Sequence, residues 1–391
     1  MKITKVDIFA FNCHVPIPFK PVGCRIYTDE GVYGDGEAAL SYGTGASAAF
    51  GMVKDLSALI IGMDPLDNEV VWDKLHRTTF WGQAAGPVVA AGISAIDMAL
   101  WDIKGKFFNA PVYKLLGGKR NEKLRCYASQ IQQGFGPVHE KKITPEEYAD
   151  IAEYCVKELG YDAVKVDFFL YDEFGSMMDR NRKRAKLDPK TLRVGVSRLE
   201  AIRRRVGDDV DIIIENHSNL DALGAIQFAN ASEPYDIFFF EEPNTPSAKT
   251  SKYICDNINI PLANGERIYT RWQYLPYFEN SCLQVAQPDL GTCGGFTEGK
   301  KIADMAHTYD VAIQAHACGT PISSIAAVHL ETALPNFIIH EHHLCFLHGY
   351  NIDLCVNDYQ PKDGFFTAPE LPGLGNEWSE KAMAEADVVS V

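Results

Sequence analysis

A series of ionisable residues recurs along the second half of this sequence at nearly even spacing. Lys165-Val166-Asp167 comes first, and Glu215, Glu241, Glu266, Asp289, His316 and Glu341 follow, the last six separated by 26, 25, 23, 27 and 25 residues. Three successive members, Glu215, Glu241 and Glu266, are hard oxygen donors with no cysteine among them. Such a donor set suits Mg2+ rather than Zn2+. Carboxylates crowded together repel, and removing them from water costs several kcal/mol each, so a divalent cation resolves the conflict. Two imidazoles complete the set. His217 is two residues beyond Glu215 and so points the same way along a strand. His316 follows Asp289, which can bond its far nitrogen and fix the tautomer of a general base. This combination has a chemical use. A proton beside a carboxylate is very weakly acidic, and two-point binding of that carboxylate to Mg2+ stabilises the enediolate formed when the proton leaves. A second, protonated group can then expel a β-hydroxyl as water.

Elements must hold these residues at one level. Each lies at or just beyond the end of an apolar run, as in "DIIIENH", "DIFFFEEP" and "VAIQAH". Between the runs lie amphipathic stretches such as "PEEYADIAEYCVKELG" and "GVSRLEAIRRRVG". Strict alternation calls for a parallel sheet. Eight strands, from "LRCYAS" to "FIIHEH", suggest an α/β fold closed into a (β/α)7β TIM-like barrel, whose strand ends form one ring around a mouth. An open doubly wound sheet is disfavoured because no strand leads into a glycine-rich phosphate loop; "GTCGG" (Gly291 to Gly295) reads as a turn. Two connections, about 130–144 and 170–188, are longer than such units require and are placed to shape a pocket. Residues 1–122 read as an α+β capping domain, 123–346 as the barrel, and 347–391 as a segment returning to the capping domain.

Composition sets the limits. With 37 basic and 52 acidic residues the net charge is −15, which argues against nucleic-acid binding. The basic run "DRNRKRAK" is short and reads as a solvated face. Ten scattered cysteines without a CxxC pair read as buried thiols in a reducing compartment. No uncharged apolar run reaches the roughly 18 residues a membrane helix needs. The expectation is a cytoplasmic protein.

These residues also carry a resemblance. The motifs "AVKVD", "ENH", "FEEP", "NGERIYTRW", "QPDLGTCGGFTEGKKIADMA", "QAHACGTPI" and "IIHEHH" together resemble the enolase superfamily, mandelate racemase subgroup, and most closely its galactonate-dehydratase-like acid-sugar dehydratases. The resemblance spans essentially the whole chain. It implies Mg2+ held by Glu215, Glu241 and Glu266, His316 oriented by Asp289 as base at C2 of an aldonate, and His217 as the acid that releases the 3-hydroxyl. It implies Glu341 as a hydrogen-bonding partner of the enolate, and a homo-oligomer. The expected function is dehydration of a sugar acid to a 2-keto-3-deoxy acid. Relatives that use a lysine base on the second strand carry Lys-x-Lys; here position 167 is Asp, which favours one-base dehydration. The first metal ligand is commonly Asp and is Glu215 here. "VPIPFKPVG" (Val15 to Gly23) matches a substrate-gripping loop of the capping domain. The alternatives are an epimerase, racemase or cycloisomerase on the same scaffold, or a non-catalytic sugar-acid sensor. A metal-dependent amidohydrolase is disfavoured, since the first strand offers no His-x-His.

Overall fold

The computed structural model describes residues 1–13, 15 and 18–391. Pro16 and Ile17 of the expected substrate-gripping loop lie outside the described residues. The N-terminal strands β1 (Ile3–Ala10), β2 (Val22–Thr28) and β3 (Tyr33–Ala38) form an antiparallel sheet. Asp29 to Val32 turns β2 into β3, with Gly31 at φ 79°, where a side chain would be strained. Helices Ala46–Ser57, Asn68–Thr78 and Pro87–Phe107 cover this sheet. The fit of β3 against the last of these is close. A Cβ on Gly36 would fall 1.9 Å from the carbonyl oxygen of Ala95, so only glycine lets the backbones approach.

The parallel strands follow: β4 (Leu124–Ser129), β5 (Ala163–Asp167), β6 (Asp211–Glu215), β7 (Ile237–Glu241), β8 (Leu262–Asn264), β9 (Val285–Ala286), β10 (Ala312–Ile313) and β11 (His340–His343). Each pairs in parallel with its predecessor from β4 to β10. β11 returns beside β4, with Glu341 opposite Tyr127. A parallel bridge from Ile313 to Phe337 joins β10 to the approach of β11 and closes the ring. One helix fills each of the seven intervals, so the (β/α)7β expectation holds and the open-sheet alternative does not. A short strand β12 (Phe365–Phe366) lies antiparallel on β4, and β13 (Asp387–Ser390) pairs with β1.

Side-chain alternation explains the apolar runs. Tyr127, Ala163, Ile213, Phe239, Ala263, Val285 and Ile339 pack together inside the barrel. Their neighbours Val164, Val166, Ile212, Ile214 and Phe240 face outward into the strand–helix core. Ile213 and Glu215 therefore share a face, and Glu215 sits above a dry plug at the mouth.

The helix Pro87–Phe107 is apolar yet carries buried Asp97 and Asp102, and no helix among the described residues is long and apolar enough to cross a membrane. Both acids join distant segments. Asp97 accepts from the Thr297 N–H and hydroxyl, and Asp102 accepts from the Asp35 and Leu374 N–H groups and pairs with Lys106. All ten cysteines are free.

Helix Pro321–Ala333 buries His329 with both ring nitrogens in use. Nε2–H donates to the Leu374 carbonyl at 3.0 Å, and Nδ1 accepts from the Tyr113 N–H at 3.4 Å. Burial pushes its pKa down to about 4. The folded chain thus disfavours the proton that the unfolded chain accepts near pH 6.5, so this contribution is complete above 6.5 and is lost as the pH falls toward 4. Urea unfolding should show stability declining over that interval, His329 contributing ~1.4 kcal/mol per pH unit. His329→Asn should remove that part of the slope; an unchanged slope would contradict the assignment.

Candidate active site

The strand ends deliver their polar residues to the wall of one cavity of about 600 Å3, which Lys165, Glu215, His217, Glu266, Asp289, His316 and Glu341 all line. Both long connections also reach it, through Gln130, Gln133 and His139 and through Leu170, Tyr171 and Met177. The segments flanking the N-terminal sheet contribute Pro18, Ala39, Leu40 and Tyr42.

Lys165 is the hub of one side. Its Nζ lies 2.6 Å from Glu241 Oε1, 2.8 Å from Glu341 Oε1 and 3.1 Å from Glu215 Oε2, and all four side chains are about 1% exposed or less. Glu215 is fixed further, its Oε1 accepting from the backbone N–H groups of Asn216 and His217 at 2.8 and 2.7 Å. Burial and the nearby charge of Glu215 raise the Glu241 pKa well above the usual carboxylate range. Burial works the same way on Glu341, but Lys165 and His316 outweigh it and hold that group down at about 2. Ser129 Oγ and the Ala317 N–H also donate to Glu341, at 2.7 and 3.0 Å.

Two aspartate–histidine pairs face the same cavity. His316 Nδ1 is 2.7 Å from Asp289 Oδ2, and its Nε2 is 2.9 Å from Glu266 Oε2. His217 Nδ1 is 2.8 Å from Asp167 Oδ2, with Nε2 turned to the Gln130 amide at 3.3 Å. Burial opposes protonation of His217, but Glu215 and Asp167 push its pKa up to about 10. Its backbone is left-handed at φ 47°, the point where the chain leaves β6 and the ring swings inward. Arg267 bridges Glu266 and the buried Glu242.

The charges do not balance. Among the described residues, the close ion pairs of Glu215, Glu241, Glu242, Glu266, Glu341, Asp167 and Asp289 are made with Lys165, Arg267 and the two imidazoles. Seven potential anions share four paired cations. Burial and Glu266 relieve part of this by pushing Glu242 up to about 7, against the pull of Arg267. Glu241 Oε2 is buried without a partner. In this arrangement Glu215 and Glu241 share Lys165 while Glu266 turns to His316 and Arg267, so the three glutamates stand at one mouth without meeting at a point. The excess negative charge, the spare oxygen and the all-oxygen donor set fit a hard divalent cation.

His340 and His342 face away from Glu341, toward Glu331 Oε2 and the Tyr161 hydroxyl, both at 2.6 Å. Two participants escaped the sequence reading: Lys165 as the hub, and Asp167 as the partner of His217. The signal was available in their i, i+2 spacing on β5, which gives both the same inward face.

Residues 147–382 match the family model described as enolase C-terminal domain-like, and residues 20–117 match the mandelate racemase / muconate lactonizing enzyme N-terminal domain. The chain belongs to the enolase superfamily. Among its superfamily relatives, the D-xylonate dehydratase of Haloferax volcanii is 31% identical over 354 residues, 90% of this chain and 81% of that protein. The D-galactonate dehydratase of Pectobacterium atrosepticum is 31% identical over 400 residues, 98% of this chain and 94% of that protein. A solved enolase-superfamily member from Salmonella Typhimurium is 50% identical, with TM-score 0.97 over 100% of this chain and 99% of its own. The 3,6-anhydro-D-galactonate cycloisomerase of Zobellia galactanivorans is 29% identical, with TM-score 0.83 over 99% of this chain and 100% of its own.

Removing Lys165 tests the charge balance. Lys165→Met leaves Glu215, Glu241 and Glu341 without their shared cation, and urea unfolding in EDTA should show a loss of about 3–5 kcal/mol. Added Mg2+ should raise the unfolding midpoint of the variant more than that of the parent. Equal stability in EDTA would mean that the cage does not depend on Lys165.

Proposed function

We propose that this protein is a hydro-lyase, a Mg2+-dependent acid-sugar dehydratase that removes the C2 proton of an aldonate and eliminates the 3-hydroxyl. The observation that carries the reading is the pair of aspartate–histidine dyads on one cavity, beside a carboxylate cage with excess negative charge. The names of the relatives, D-xylonate and D-galactonate dehydratase, support the reaction class.

Glu215, Glu241 and Glu266 would hold the ion. When bound, it supplies positive charge against the substrate carboxylate as that group takes on enediolate character. The chain's own groups do the rest. Asp289 keeps the His316 Nδ1 proton in place, and with Glu266 drawn from Nε2 to the ion, Nε2 would be the nitrogen free to accept the C2 proton. The C–H electron pair moves into the enediolate. His217 Nε2 donates its proton to the departing 3-hydroxyl, which leaves as water, and Asp167 stabilises the proton-bearing ring beforehand. The resulting enol relaxes to the 2-keto-3-deoxy acid. Glu341 accepts from Lys165 Nζ at 2.8 Å, and with Glu215 and Glu241 turned to the ion, the Lys165 N–H groups they now hold would be free to bond the developing enolate beside Glu341.

A second reading has one observation in its favour, the structural likeness to a sugar-acid cycloisomerase. Against a two-base racemase stands Asp167, a carboxylate already bonded to His217 where a second lysine would be needed.

Two outcomes check the proposal. A screen of aldonic acids should yield a 2-keto-3-deoxy product with Mg2+ and none in EDTA. His316→Asn should lower kcat by about 10²–10⁴, while calorimetry shows Mg2+ affinity unchanged. Deuterium incorporated at C2 of recovered substrate, with no keto acid formed, would instead favour an epimerase or racemase.

A further inference from the structure

The wall of the cavity formed by the loop after β10 and the end of β11 carries a set of soft donors. Cys318 lies two residues beyond His316 in that loop. His343 ends β11 and shares the inward face with Glu341. Cys345 lies in the tight turn Leu344–Leu347 that follows. The thiol sulfurs of Cys318 and Cys345 and a ring nitrogen of His343 all lie within 4.8 Å of one another, the only such trio of ligating groups among the described residues. Cys318 Sγ and His343 Nε2 are 3.5 Å apart. Cys345 and His343 are buried, while Cys318 and His343 line the cavity, which provides an entry path.

We propose that Cys318, His343 and Cys345 form a second metal site, one that takes Zn2+ or a cation of the same thiophilic class and is separate from the oxygen cage. The donor chemistry separates the two sites. Two thiolates and an imidazole suit borderline-soft Zn2+ and offer Mg2+ nothing, whereas the all-oxygen glutamate set can take Mg2+. Three protein ligands leave a fourth position, which can open to the cavity. The Cys345 N–H donates to His343 Nδ1 at 3.1 Å, so the ring proton sits on Nε2, toward Cys318. Metal entry moves that proton to Nδ1 and gives up this hydrogen bond. The loss is small beside two new thiolate–metal bonds. Two thiol protons leave to solvent as the bonds form. The ion would then link the loop carrying His316 to the end of β11, two residues from Glu341.

The test is spectroscopic and does not depend on turnover. The full-length protein, saturated with Mg2+, is titrated with Co2+. A thiolate-to-cobalt charge-transfer band should rise to a plateau at one equivalent per chain, and Zn2+ should displace it. Cys318→Ser and Cys345→Ser should each abolish the band, and Cys345→Ser, whose side chain does not line the cavity, should keep the parent activity in Mg2+ alone. Absence of the band in the parent protein, or its survival in both variants, would overturn the proposal. The first of these outcomes requires no variant to fold.

Discussion

The architecture of the mouth follows from the cost of burying like charges. Glu215, Glu241 and Glu341 converge from three strands on one ammonium group, Lys165 Nζ, at 2.6 to 3.1 Å. A carboxylate in a dry environment is expensive, and a cluster of them is stable only if cations interleave with them. Lys165, Arg267 and the imidazoles supply part of that compensation. The remaining charge excess fits a hard divalent ion. The carboxylates of Glu215 and Asp167 push the His217 pKa up to about 10 against the effect of burial.

The barrel brings these charges together without local strain on the strands. Beyond a register shift between Ile212 and Ile213, β6 and β7 pair residue for residue, so Glu215 and Glu241 lie side by side. The apolar plug beneath them, with Ile213 and Phe239 on the same inward faces, keeps water from entering from below. The strain is local to the exits: His217 and Glu242 both adopt positive φ just beyond their strands. Those two positions turn the chain from strand into loop, so the backbone cost is spent where side chains must be aimed.

How far the sequence disclosed this depends on the range of the interaction. "DIIIENH" reveals a buried strand ending in a carboxylate and an imidazole because strand alternation is a local rule. The even spacing of Glu215 to Glu341 reveals the barrel because each βα unit has a nearly fixed length. Lys165 was harder, since its role depends on three carboxylates 50 to 176 residues away, and no local pattern encodes that convergence. Asp97 and Asp102 show the same limit. In the sequence they only interrupt an apolar helix. In the fold they are acceptors for Thr297 and Leu374, roughly 200 and 270 positions distant. The soft trio of Cys318, His343 and Cys345 was equally hidden, because no CxxC spacing announces donors that meet across a loop and a strand end.

The N-terminal sheet is a structural support of the cavity mouth. Glu37, at the end of β3, accepts from the Thr320 N–H and hydroxyl and from the Ser323 N–H, at 2.6 to 3.2 Å. It thereby caps the helix that follows the His316 loop. Burial pushes the Glu37 pKa up to about 7, with Thr320 and Ser323 working against that rise. The loop bearing His316 is therefore pinned at one end by Asp289, from the barrel, and at the other by a carboxylate from the sheet. Pro18, Leu40 and Tyr42, in the segments flanking the sheet, extend into the cavity wall. The cavity thus takes its ionisable wall from the barrel and part of its enclosing surface from these segments. Displacement of the sheet would disturb both the shape of the cavity and the loop that carries His316.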